Sequence, residues 1–205
     1  KNSDHKVVYA WFDNSEKTPF SRGQHISDVP DSLDVISMMY PAELAAFELV
    51  DMQTVHAKGT KVVYTISFDK IQKEYTEKVK EGTETGSFDT YLKSEMDKQI
   101  GYAGSFDGMI TEYKGNNSIY MSAEQKAEAK KYQDIFFSAV STWKTANADK
   151  LLTFQGYPEN LIEQTVLTNC KHIILATDNV TDDAQLSVFA RLAMAAAGVP
   201  TDRFV

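Results

Sequence analysis

The chain has 205 residues, of which 42% are hydrophobic and 24% charged, as is typical of a globular protein with a buried core. The formal net charge of -8 argues against nucleic acid or an anionic membrane surface as the partner. No apolar run approaches the roughly 18 residues that a membrane-spanning helix needs. The single cysteine, Cys170, excludes an internal disulfide and is predicted to be a buried structural thiol.

Predicted strands and helices alternate along the chain. Runs of β-branched and aromatic residues that end in polar residues, proline or glycine predict strands over 6–12, 34–40, 61–68, 105–114, 150–155 and 171–177. Apolar spacing and capping residues predict helices over 42–57 and 87–100, a long helix that begins after Ser122, and a last helix that begins at Thr181 or Asp182. We expect the lysine- and glutamate-rich stretch 69–86 to be a solvated helix face or a loop.

This alternation, without tight hairpins, implies parallel strands joined by right-handed helical crossovers. Open doubly wound sheets and (β/α)8 barrels both satisfy it. A phosphate-binding glycine loop after the first strand would favour the open sheet, but the residues there are Asp13-Asn14-Ser15. We therefore interpret 1–205 as a single α/β domain of the (β/α)8 TIM-barrel type. We expect it to be incomplete at the carboxyl end, with Arg203-Phe204-Val205 opening a seventh strand.

The segment 105–114, Ser-Phe-Asp-Gly-Met-Ile-Thr-Glu-Tyr-Lys, carries the most informative chemistry. Because side chains alternate along a strand, Ile110, Glu112 and Lys114 share one face, with Glu112 and Lys114 about 7 Å apart along it. A catalytic strand of a carbohydrate-cleaving barrel holds a proton-donating carboxylic acid at its carboxyl end. This strand carries an ammonium there instead.

The segment resembles the fourth strand of glycoside hydrolase family 18, the chitinases and endo-β-N-acetylglucosaminidases, which reads Asp-Gly-x-Asp-x-Asp-x-Glu. Asp107 and Gly108 match the start of that motif. Ile110 stands where the middle aspartate is common, Glu112 where the second aspartate stands, and Lys114 where the catalytic glutamate stands. The order of strands and helices is similar over essentially the whole chain, which covers about three-quarters of such a barrel.

The resemblance implies a substrate-assisted retaining mechanism, in which the sugar's 2-acetamido group attacks the anomeric carbon and the glutamate protonates the leaving oxygen. Lysine is a poor acid near neutral pH and leaves no anion to act as a base; loss of general acid catalysis typically removes about 10²–10⁴-fold in rate. Two other departures point the same way. Thr177, before Asp178, replaces a tyrosine of the family's chitinases, and Ser67-Phe68-Asp69 lacks a glycine pair common in the third strand.

We therefore expect a pseudoenzyme that binds GlcNAc-containing oligosaccharides or glycoprotein glycans with little or no hydrolysis. The candidate substrate-binding residues are Trp11, Asp107, Lys114, Gln155, Tyr157 and Asp178. One alternative is an active hydrolase with Glu112 as the catalytic acid, in a register shifted by a β-bulge near Gly108. Another is a structural or interaction module whose barrel mouth binds nothing.

Metal and cofactor sites are not predicted, because the four histidines are scattered without metal-ligand spacing. Similar proteins of glycan-foraging bacteria are often exported lipoproteins, so the resemblance implies a place at the cell surface or in the periplasm. Residues 1–4 are then interpreted as the stub left after a signal peptide is removed.

Overall fold

The computed structural model describes residues 5–205, so the predicted stub at 1–4 lies outside the described residues. Six parallel strands form one sheet in which each strand pairs with the next along the chain. The strands are β1 Tyr9–Phe12, β2 Val35–Met38, β3 Lys61–Ser67, β4 Gly108–Tyr113, β5 Leu151–Gly156 and β6 His172–Leu175. The α-helices of the described chain are α1 Ala46–Ala57, α2 Phe68–Lys80, α3 Phe88–Ile100, α4 Ala123–Ala146 and α5 Asp183–Ala195.

The sheet curls toward a barrel. The Tyr9 hydroxyl on β1 lies 2.8 Å from the Thr153 hydroxyl on β5 and 2.7 Å from Nδ1 of His172 on β6. In a flat sheet β1 would be far from both of those strands. Phe204 forms a parallel bridge to Ile173, beside β6, as predicted for the opening of a seventh strand. The fold is thus of the incomplete (β/α)8 TIM-barrel type.

Both faces of the sheet bury apolar side chains. Inside the curl, Val35, Val63 and Ile110 form a small buried cluster. On the outer face, a much larger core packs against the helices and includes the fully buried Tyr64 and Phe154. Each large side chain that is buried in this way contributes about 1.5–3 kcal/mol. Burial on both faces explains why the strands read as nearly continuous apolar runs.

The structure differs from the sequence prediction at the end of β3 and at the start of β4. The polar stretch after β3 contains helix α2, which the Ser67 hydroxyl caps by accepting a hydrogen bond from the Lys70 amide (3.2 Å). Strand β4 begins at Gly108, later than predicted, because a 3₁₀ turn occupies Gly101–Ser105. A Cβ at Gly108 would lie 1.9 Å from the carbonyl oxygen of Leu151, so only glycine lets β4 and β5 pair closely here.

Across residues 5–205, none of the helices is both long and apolar enough to cross a bilayer.

Candidate functional site

A cleft of about 550 Å³ opens at the carboxyl ends of the strands, inside the curl of the sheet. Its polar floor comes from neighbouring strands, because Ser67 pairs in register with Glu112, and Glu112 with Gln155. One strand further, the Ser37 hydroxyl lies 3.1 Å from the Thr65 hydroxyl. Polar side chains from adjacent parallel strands therefore converge on one small region, which is where active sites of such barrels lie.

Lys114 lies at the edge of this cleft between two carboxylates. Its Nζ is 2.6 Å from an Asp178 carboxylate oxygen and 3.4 Å from a Glu112 oxygen. The Lys114 side chain is 32% exposed and that of Glu112 is 18% exposed. Asp178 and Glu112 both line the cleft, so the ammonium is tied to its wall from the end of β4.

The surroundings of Lys114 keep its side chain charged. Burial opposes the charge, but the hydrogen bond to Asp178 and the negative charges of Glu112 and Asp178 outweigh burial and raise the pKa of Lys114 above its ordinary value. A lysine with a raised pKa gives up its proton less readily at neutral pH. The ammonium therefore supplies charge and hydrogen-bond donors, not general acid catalysis.

The backbone that follows β4 is held from two sides. The Asp69 carboxylate accepts hydrogen bonds from the amides of Lys114 (2.8 Å) and Gly115 (3.4 Å). Asn160 donates from its side-chain amide to the carbonyl oxygens of the same two residues, at 2.8 and 3.3 Å. These contacts fix where the Lys114 side chain leaves the strand. Sequence reasoning missed Asp69 and Asn160, since both act on backbone groups and neither belongs to the motif.

Two candidates offer groups suited to a sugar. Trp11 lines the cleft and keeps 45% of its surface exposed, so an apolar sugar face can stack on its ring. Gln155 also lines the cleft, and its buried Oε1 has no hydrogen-bond partner among the described residues. A buried polar atom of this kind is costly unless a partner satisfies it. Lys70 lines the same cleft. The sequence did not identify it as a site residue, because it lies in a charged stretch that is typical of a solvated helix face or a loop.

A family model described as glycoside hydrolase family 18, BT1044-like, matches residues 1–202. The chain belongs to this family. No curated protein sequence matches it.

Solved structures of low sequence identity share the family 18 fold. A selenomethionine form of a BT1044 glutamate-to-glutamine variant has a TM-score of 0.62 at 14% identity and matches over 98% of this chain and 65% of that chain. A chitinase from Bacteroides thetaiotaomicron has a TM-score of 0.62 at 10% identity, over 98% of this chain and 66% of the other. Human YKL-39, described as a pseudo-chitinase with retained chitooligosaccharide binding, has a TM-score of 0.51 at 10% identity, over 98% and 65%. This family 18 chain thus spans about 65% of the length of the BT1044 structure.

Asp107, the first residue of the family 18 motif, does not join the cleft. It precedes β4, whereas Lys114 follows it, so the two residues lie at opposite ends of the strand, about 20 Å apart. The Asp107 carboxylate accepts from the Val62 amide (2.7 Å) and lies 2.7 Å from Nε2 of His56 and 3.7 Å from Nζ of Lys61. These contacts tie β4 to β3 and α1, which is a structural role.

Tyr157 is also diverted from the cleft of this family 18 domain. Its ring stacks on Phe189 of α5, with centroids 5.8 Å apart and an interplanar angle of 22°. The contact depends on α5, which follows β6 and is distant from Tyr157 in the chain, so local sequence could not reveal it.

The β-bulge that would shift the register of Glu112 is absent from the described strands. β4 pairs residue by residue with β5 from Gly108 to Tyr113, and with β3 from Gly108 to Glu112. Glu112 nevertheless faces the cleft, two positions before Lys114. Among residues 5–205, no three histidine, cysteine or acidic side chains are grouped as metal ligands would be.

Proposed function

We propose that this family 18 domain binds GlcNAc-containing oligosaccharides, or the GlcNAc-containing glycans of glycoproteins, with little or no hydrolysis. The observation that carries the proposal is the ammonium of Lys114, held between Asp178 and Glu112 at the end of β4. Hydrolysis in this family needs a carboxylic acid that can deliver a proton to the leaving oxygen. A lysine with a raised pKa cannot take that role.

The same arrangement suits binding. An ammonium has three donors, and the two carboxylates beside it are acceptors, so a sugar hydroxyl can exchange hydrogen bonds with both kinds of group. Trp11 supplies a stacking surface, and the side-chain oxygen of Gln155, which has no hydrogen-bond partner among the described residues, can accept a hydrogen bond from a sugar hydroxyl. The description of YKL-39 as a pseudo-chitinase with retained chitooligosaccharide binding gives a precedent within the same fold.

Calorimetry with a GlcNAc tetrasaccharide and with a high-mannose glycopeptide tests the binding. We expect saturable heat, and roughly tenfold or greater weakening in Trp11→Ala because the stacking surface is lost. Phe20→Ala is the matched control, since Phe20 is 86% exposed and is not part of the cleft lining. If neither glycan gives heat or a thermal shift at millimolar concentration, the domain is an interaction module and the proposal fails.

A second candidate function is hydrolysis with Glu112 as the acid, favoured by the position of this carboxylate on the floor of the cleft. Product release from the same two glycans at high protein loading tests it. We expect none above background. Turnover that Glu112→Gln abolishes would establish the hydrolase and overturn the pseudoenzyme.

We further propose that the protein is exported to the cell surface or the periplasm as a lipoprotein. The support is the resemblance to exported family 18 proteins of glycan-foraging bacteria. Protease treatment of intact cells that express the natural gene tests the surface position, because an exposed protein is digested. Release of the protein when only the outer membrane is opened tests the periplasmic position, and protection in both treatments would contradict export.

A further inference from the structure

A second cavity, of about 470 Å³, lies behind β4 between α2 and α4. Its floor is formed by the nearly buried rings of Phe68 and Tyr113, and Tyr132 and Tyr120 add two more aromatic rings. Tyr113 points to the helix side of β4, whereas Glu112 points into the cleft. The strand therefore separates this cavity from the site described above.

The floor of the cavity is preformed. The Tyr113 hydroxyl accepts a hydrogen bond from the Gln133 side-chain amide at 2.8 Å. The backbone of Gly115, with φ of 51°, lies close to the hydroxyl end of the Tyr113 ring, and a Cβ there would lie 2.5 Å from Cε1. The ring is thus held in place by a hydrogen bond and by close contact with glycine backbone. A fixed aromatic surface binds a ligand without a large ordering cost.

The chemistry of the lining favours a neutral sugar. Side-chain amides of Gln72, Asn116 and Gln125 stand around the aromatic rings, and together they offer donors and acceptors beside apolar faces. In the described chain, Glu128 is the one lining residue with a formal charge, and its carboxylate accepts a hydrogen bond from the Tyr132 hydroxyl (3.2 Å). Because no cation lines the cavity, an acidic sugar gains nothing there.

A quaternary ammonium is the competing ligand chemistry, since aromatic rings attract cations. Lys131 already places its Nζ 5.5 Å from the centroid of the Tyr132 ring. A quaternary ammonium would also form no hydrogen bond with these amides, whereas sugar hydroxyls can donate to them and accept from them.

We propose that this cavity is a second carbohydrate site, which takes a single neutral pyranose ring between the aromatic floor and Tyr120. The site is separate from the cleft and does not depend on the function proposed for it. It would let the domain hold a glycan, or two branches of one glycan, at two points and so gain avidity.

Titration of backbone amide NMR shifts with methyl α-D-mannopyranoside and methyl β-D-glucopyranoside tests the site. We expect saturable shifts at the amides of Gly115, Asn116 and Gln125. Tyr120→Ala should weaken the binding roughly three- to tenfold by removal of one aromatic contact. Tyr120 is 88% exposed, so the variant should fold normally, and Phe20→Ala, at an equally exposed aromatic residue, should leave the affinity unchanged.

Trp11→Ala separates the two sites, because it removes the stacking surface of the cleft and leaves the second cavity intact. We expect the cavity shifts to persist in Trp11→Ala. The proposal is overturned if neither sugar shifts the cavity amides, if Tyr120→Ala binds as the unmodified protein does, or if choline chloride shifts these amides and the sugars do not.

Discussion

At the residue scale, the proposed function depends on the ion pairs of Lys114. The ammonium contacts Asp178 at 2.6 Å and Glu112 at 3.4 Å, and both contacts favour the charged form. The family's catalytic residue is neutral when it donates its proton, and its neighbouring aspartate handles the acetamido group. In the proposed alignment Lys114 takes the acid position, so that position carries a cation, and Glu112 stands in place of the neighbouring aspartate.

Lys114→Glu alone should restore little hydrolysis. The exchange places a third carboxylate beside Asp178 and Glu112, and Thr177 and Ile110 still stand where the family carries a tyrosine and an aspartate. Release of products from a GlcNAc tetrasaccharide measures the effect, with Lys114→Met as the uncharged control. Rates near those of active family members from this one change would contradict the account.

His172 gives a prediction about pH. Burial, with a contribution from the charge of Lys171, lowers the pKa of His172 below its ordinary value of 6.5. Below that pH the unfolded chain takes up a proton that the folded chain resists, so the free energy of unfolding should fall as the pH drops below about 6.5. His172→Gln should lose less stability over this range in urea titrations. Equal losses in both proteins would show that His172 does not contribute.

At the element scale, the two ends of the segment 105–114 have different surroundings. Asp107, before β4, contacts β3 and α1, whereas Lys114, after β4, lies at the edge of the cleft. Sequence patterns predicted the six strands and helices α1, α3, α4 and α5, because buried parallel strands give long apolar runs and helices show apolar spacing and capping residues, but they left α2 open between a helix and a loop. They named Glu112, Lys114, Gln155 and Trp11 as candidate site residues, and the structure places these four at one cleft, since carboxyl ends of parallel strands meet. Asp107 was grouped with them because it begins the motif, although a residue at the amino end of a strand faces the opposite end of the barrel.

Asp107→Ala should therefore destabilise the fold without changing glycan affinity. The variant leaves the Val62 amide and His56 without a partner at the junction of β3, β4 and α1, at a cost of about 1–3 kcal/mol. Thermal unfolding and calorimetry measure the two properties. Asp134→Ala, which removes a surface ion pair with Lys130, should change neither. Loss of glycan affinity in folded Asp107→Ala would argue for a direct role in binding.

At the scale of the whole molecule, the curl of the sheet depends on contacts between strands that are not neighbours. Local sequence patterns specify strands and helices, but they do not specify contacts between distant segments. Examples are the contact of Tyr9 with β5 and β6, the stacking of Tyr157 on α5, and the hydrogen bond from Asn160 to the carbonyl oxygen of Lys114. Each of these contacts joins segments that are far apart in the chain, so none of them could be predicted from the local sequence.

Tyr9→Phe tests this view of the curl. The exchange keeps the ring and removes the hydroxyl that contacts Thr153 and His172, so it should lower the free energy of unfolding by about 1–3 kcal/mol. Tyr40→Phe is the control, because Tyr40 is 47% exposed. Urea unfolding of both variants gives the comparison. Indistinguishable stabilities would mean that the Tyr9 contacts do not support the curl.

The structure of a crystal soaked with a GlcNAc tetrasaccharide tests the central claim most directly. We predict an uncut glycan in the cleft, stacked on Trp11, with Nζ of Lys114 within hydrogen-bonding distance of a sugar oxygen. A cleaved sugar, with the Glu112 carboxyl directed at the former glycosidic oxygen and Lys114 turned into solvent, would contradict it.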